Sequence, residues 1–125
     1  MFSAPGLAAL FDPAGLAEVD VAAPVPGRAD LRIAGRIDRL VVGDRAVLAI
    51  DFKSHRVVPD AAERVPEGIL RQLGAYRTAL VPLWPDRPVE VAVLWTRAAG
   101  LMPVPAGLAD AAFARAILDL PGGHS

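Results

Sequence analysis

Apolar and polar positions alternate along residues 31–42 and again along 46–53, two stretches rich in Val, Ile and Leu. Gly43-Asp44 between them is a tight-turn signal, so the pair predicts a β-hairpin. The same reading gives strands at about 16–23, 30–42, 46–53, 89–96 and 100–104. Between the third and fourth strands the period changes. Ile69, Leu73, Tyr76 and Leu80 fall at i, i+4, i+7 and i+11, the stripe of an amphipathic helix over about 66–81 that ends near Pro82. Pro66 suits its first position and Glu67 favours its positive end. A second helix near 106–119 carries Phe113, Ile117 and Leu120 on one face and stops before Gly122-Gly123.

These elements predict an α/β fold, a mixed and mostly antiparallel sheet flanked by helices. The helix after the third strand permits a parallel neighbour, while residues 97–100 read as a hairpin joining the last two strands. Residues 1–15 form a Pro- and Gly-punctuated lead-in, with a helical turn at 6–11. They read as the remnant of a longer chain. Residues 16–120 form the domain and 121–125 a flexible tail. Residues 54–65 make a charged loop, and Trp84 and Trp95 read as core.

The strand pattern also places charged groups. Side chains alternate faces along a strand, so Asp51 and Lys53 share one face, and Leu48, Ile50 and Phe52 share the other. A two-residue turn at Gly43-Asp44 makes paired positions sum to 87, with Asp38 opposite Ala49 and diagonal to Asp51. A four-residue turn makes them sum to 89, with Asp38 directly opposite Asp51. Either way the aspartates share a face; a three-residue turn would put them on opposite faces, but Ile33, Ile37 and Val41 on the opposite face of the first strand agree with the odd sums. Two such carboxylates repel unless a cation lies between them. A hard divalent cation takes oxygen ligands, commonly carboxylates, water and substrate phosphate, and a nearby lysine can assist water activation or charge stabilisation. Gln72 and Tyr76, four apart on the helix, stack on one side of it and can face the same pocket.

Composition narrows the classes. The chain has 125 residues, enough for one domain with one core, and a 54% apolar fraction to fill it. No apolar run approaches the ~18 residues of a membrane span, and the first residues lack the pattern of a signal peptide. There are no cysteines, which excludes disulfides, thiolate metal sites and a cysteine-ligated iron–sulfur cluster. A net charge of −1 argues against strong autonomous DNA binding, although Arg28, Arg32, Arg36 and Arg39 give the first hairpin a basic bias.

Gly35-Arg36-Ile37-Asp38-Arg39-Leu40, Ala49-Ile50-Asp51-Phe52-Lys53-Ser54 and Arg71-Gln72-Leu73-Gly74-Ala75-Tyr76 together resemble motifs of the RecB-type branch of the PD-(D/E)xK nucleases. The resemblance extends to the C-terminal nuclease domain of the AddA subunit of bacterial helicase–nucleases that process double-strand breaks. Leu7-Ala8-Ala9-Leu10-Phe11, Leu16-Ala17-Glu18-Val19, the VAVLWT run from Val91 to Thr96, and Leu101-Met102-Pro103-Val104-Pro105 are similar to segments of that domain in order and spacing. The resemblance implies a restriction-endonuclease-like fold and a Mg²⁺-dependent exonuclease, with Mn²⁺ able to substitute. Asp38, Asp51 and the Phe52 carbonyl would ligate the metal, and Lys53 would orient or help deprotonate the attacking water. Gln72 and Tyr76 would support the site and the DNA strand, and Glu18 would act from further out or pair with an arginine. It further implies a cytoplasmic setting, DNA as substrate, ATP used only by a helicase portion of the same parent chain, and an AddB-type partner subunit that degrades the other strand. Ser54 stands where such domains commonly carry threonine. RecB-type sites also draw a ligand from an upstream histidine. This chain has only His55 and His124, so an inactive nuclease-fold scaffold or interaction module stands as the alternative.

Overall fold

The computed structural model describes residues 16–120. The expected helical turn at 6–11, the lead-in and the tail with His124 lie outside them. Strands β1 (Leu16–Val25), β2 (Arg28–Val42), β3 (Val47–Lys53), β4 (Val89–Trp95) and β5 (Gly100–Val104) form one sheet in the order β1-β2-β3-β4-β5. All neighbours are antiparallel except β3 and β4, which are parallel. The parallel pair follows from the connection: helix α1 (Glu67–Leu80) carries the chain from the end of β3 back to the start of β4. Helix α2 (Ala106–Leu118) follows β5 and packs on α1. The mixed, mostly antiparallel α/β architecture expected from the sequence is therefore the one observed.

Each strand has its local reason. Residues 43–46 connect β2 to β3, closed by the Gly43 N–H donating to the Ala46 carbonyl at 2.9 Å. β1 and β2 are longer than expected because Pro24 sits within the pairing, opposite Arg32, and Pro26 falls in the turn. Among the described residues β1 is an edge strand, and edge strands tolerate proline. The register shifts between Pro24 and Val25, and Gly27 supplies the positive φ (79°) of the turn.

The main core lies between the sheet and the helices. Ile69, Leu73, Tyr76 and Leu80 of α1 are buried there with Leu40, Val47, Ala49, Val91, Val93 and Trp95 of the sheet. Trp84 packs on its margin. On the other sheet face Leu48, Ile50 and Ala92 form a second apolar cluster with Val41, Leu94 and Leu101. Phe113, Ile117 and Leu120 line one groove, as one face of the second helix. Its buried residues are Ala109 and Ala112, while Phe113 and Ile117 are half-buried and Leu120 is exposed. Small side chains let α2 approach α1 closely, and Gly74 faces Ala109 across the crossing.

Arg77 ties the layers together. From α1 its Nε and Nη2 hold the Asp110 carboxylate of α2 at 3.0 and 3.1 Å, and its Nη1 donates to the Val89 carbonyl at the start of β4. Arg77→Met keeps the aliphatic stem and strands both acceptors. We expect a loss of roughly 2 kcal/mol, since bonds to charged groups contribute about 1.5–3 kcal/mol each. An unchanged urea midpoint would show that this bridge adds nothing. Among the described residues no helix is long and apolar enough to cross a membrane.

Candidate active site

β2 and β3 pair with Arg39 opposite Ile50, Leu40 opposite Ala49, Val41 opposite Leu48 and Val42 opposite Val47. Paired positions thus sum to 89, the four-residue alternative. The ladder stops at Arg39. Beyond it the strands part, and the Phe52 N–H donates to Asp38 Oδ2 at 2.8 Å instead of to a backbone carbonyl. A side chain has taken the place of the next rung.

The face assignment of β2 needs correction. The pattern predicts Ile37 beside Val41, on the face opposite the aspartates. In the structure Ile37 joins Leu40, Val47 and Ala49 in the main core, and Ile33 packs against Ala79 of α1. Only Val41 lies with Leu48 and Ile50. Ile37 and Leu40, three residues apart, cannot share a face in a regular strand, so alternation breaks between them, at Asp38 and Arg39. Across the sheet β1 bends at the same level. Glu18 has φ of 56°, and the β1–β2 ladder skips the position between Ala17↔Arg39 and Val19↔Ile37. The aspartates meet, but a paired bend in two strands brings them together rather than simple alternation.

Asp51 is the buried member, with its side chain 3% exposed. Burial pushes its carboxyl up to about 6; Lys53 draws it down, and a hydrogen bond and like charge from Asp38 push it up again. Lys53 Nζ lies 3.0 Å from Asp51 Oδ2, yet that buried oxygen has no aligned hydrogen-bond donor. A buried carboxylate held next to another carboxylate, with one lysine ammonium for the two acids, is the environment that a hard cation neutralises. The Phe52 carbonyl points to the same strand edge as its N–H, towards Asp38, so it can complete an oxygen set with the two carboxylates. The donors present fit a divalent metal.

Helix α1 reaches the pair through Lys53. Lys53 Nζ donates to Gln72 Oε1 at 3.3 Å, Gln72 Nε2 donates to the Tyr76 hydroxyl at 2.8 Å, and that hydroxyl donates to the Arg36 carbonyl at 2.6 Å. Burial and the Asp51 charge push the Tyr76 hydroxyl up to about 12, which keeps it neutral and donating. The structure thus gathers Asp38, Asp51, Phe52, Lys53, Gln72 and Tyr76 at one point. It keeps Glu18 out: that carboxylate is exposed and lies 4.0 Å from Arg36 Nη1. β3 ends at Lys53, so His55 does not extend its face; the imidazole rests 5.6 Å from the Trp95 ring. Among the described residues no group of three His, Cys, Asp or Glu side chains converges. The arginine bias of the first hairpin is partly neutralised, because Arg28 pairs with Asp30 and Arg36 with Asp20. The Arg36 carbonyl was not anticipated, since a backbone acceptor leaves no residue-type signal.

Residues 4–111 match the PD-(D/E)XK nuclease superfamily. The chain belongs to that superfamily, whose members generally use divalent metals. No curated protein matches it.

Proposed function

We propose that this domain is the Mg²⁺-dependent exonuclease part of an ATP-dependent, cytoplasmic helicase–nuclease of the AddA type, acting on DNA ends in double-strand break repair and recombination beside an AddB-type subunit. The observation that carries the nuclease reading is the buried Asp51 carboxylate, raised by burial and flanked by Asp38 and Lys53. Superfamily membership supports phosphodiester hydrolysis, and the motif order and spacing support the AddA context. Asp38, Asp51 and the Phe52 carbonyl would hold the metal, which supplies a Lewis acid for the phosphate and a more acidic water. Lys53, fixed by Gln72, offers its ammonium to the water or to the developing phosphate charge. Tyr76 holds Gln72 and takes no proton.

With Mg²⁺ or Mn²⁺, linear labelled DNA should shorten from its ends while closed circular DNA survives, and a chelator should stop the reaction. Lys53→Ala should slow it about 10²–10³-fold, as loss of one preorganised charge does. Equal cutting by Lys53→Ala would remove the site from the reaction. A second reading, a scaffold that keeps the fold without chemistry, rests on one observation: no third acidic or histidine side chain joins the pair among the described residues. Calorimetric titration separates the two, because the scaffold reading expects no Mn²⁺ binding that depends on Asp38 and Asp51.

A further inference from the structure

The fork between β2 and β3 opens beside a residue that has no side chain. Gly35 stands three positions before Asp38, opposite Val21 of β1. A Cβ built on it would lie 3.3 Å from Tyr76 Cε1, closer than ordinary van der Waals contact. Backbone conformation does not demand this glycine, because among the described glycines only Gly27 has positive φ. The space is what is used. The Tyr76 ring, 2% exposed, occupies it, and its hydroxyl reaches the Arg36 carbonyl at 2.6 Å. Enclosed in the main core with Ile37 and Leu73, the ring has little room to retreat from an added methyl. Two residues beyond Arg36, β2 has left the β3 ladder and Asp38 meets the Phe52 N–H through its carboxylate.

We propose that Gly35 is a positioning residue: by admitting the Tyr76 ring against β2, it lets α1 hold the strand off β3 at Asp38 and so sets where the Asp38 carboxylate stands relative to Asp51. The consequence for metal binding rests on the nuclease reading; the fork geometry does not. The pull is transmitted by one short hydrogen bond to a backbone carbonyl, so a displacement of a few tenths of an ångström at the ring is felt at the strand. The same tyrosine holds Gln72 and, through it, Lys53, so one contact orients both walls of the site.

The test follows the Phe52 amide by hydrogen exchange and Mn²⁺ affinity by calorimetry, both on the full chain. Gly35→Ala should lower Phe52 protection and Mn²⁺ affinity roughly tenfold each, about the worth of one hydrogen bond, and leave the β4 amides protected. Tyr76→Phe, which keeps the ring and deletes the hydroxyl, should do the same, and it serves if Gly35→Ala does not fold. In a Tyr76→Leu background, Gly35→Ala should add nothing, because the ring it acts through is gone. Unchanged Phe52 protection in Gly35→Ala and Tyr76→Phe, or an equal further loss in the Tyr76→Leu background, would overturn the assignment. If the wild-type chain binds no Mn²⁺ while Phe52 responds as stated, the metal reading fails and the positioning role stands.

Discussion

Asp51→Asn is expected to abolish hydrolysis while making the metal-free protein more stable at neutral pH. The carboxyl of Asp51 is pushed from 3.8 up to about 6, chiefly by burial. A folded-state value above the unfolded one means that the native protein holds this proton more tightly. The stability contributed is therefore fully present below about pH 4, is lost as pH rises through about 6, and remains absent above it. At neutral pH the ionised group costs the fold on the order of 2–3 kcal/mol. An amide carries no charge at any pH and can donate to Asp38, so the variant escapes that cost. Losing the Lys53 ion pair returns part of the gain. A rise in Tm of roughly 5 °C at neutral pH, shrinking to nothing near pH 4, is the net expectation.

A divalent ion should reverse the comparison. Ligand binding to the native state raises stability by mass action, so Mn²⁺ should raise the Tm of the wild-type chain and leave Asp51→Asn unmoved. A variant that is inactive yet no more stable than wild type at neutral pH would mean that the acid pair is not strained, and the charge argument for the metal site would fall with it.

Most of the fold was legible because its elements bury one continuous surface each. The β3 and β4 runs read as strands from their apolar density, and the α1 stripe of Ile69, Leu73, Tyr76 and Leu80 is buried as its period required. The convergence of Asp38, Asp51 and Lys53 was also readable, but for an incomplete reason. Alternation describes a regular ladder, and the site forms where β2 stops being one. Nothing local in Ile37-Asp38-Arg39-Leu40 announces that break. It comes from a tertiary pull of α1 and from the matching bend at Glu18. The α2 face of Phe113, Ile117 and Leu120 was legible, but the residues that make the crossing with α1 were not. Hydrophobicity weighs Phe113 and Ile117 above alanine, whereas the closest helix crossing is made by the residues with least bulk, Gly74 and Ala109. Pro24 stays within β1 because the edge position of that strand, which tolerates proline, is a property of the assembled sheet.

That crossing carries the largest expected loss of stability. Gly74→Ala places a Cβ 2.2 Å from the Ala109 carbonyl oxygen, 2.7 Å from Phe113 Cβ and 2.9 Å from the Ala109 carbonyl carbon. Two of these are backbone atoms, so no rotamer change relieves the overlap and the helices must part. Alanine is the better helix former by about 1 kcal/mol, which opposes the effect, but overpacking of this kind costs about 1–3 kcal/mol and more where backbone must move. Separation also weakens contacts that depend on the helix spacing: the buried Ala109 and Ala112, the Arg77–Asp110 pair, and the two 2.9 Å bonds from Arg115 to Glu67. A net loss of about 2 kcal/mol or more, and a Tm lower by roughly 10 °C, should follow. Activity should behave differently from stability. α1 is anchored to the site by Lys53–Gln72 and Tyr76–Arg36, so α2 is the helix that yields, outward and away from the acid pair. Below its melting transition Gly74→Ala should therefore keep Mn²⁺ affinity and hydrolysis within about twofold of wild type, the independence expected of separated sites. A Tm that stays level or rises would show that the α1–α2 contact has slack the distances deny.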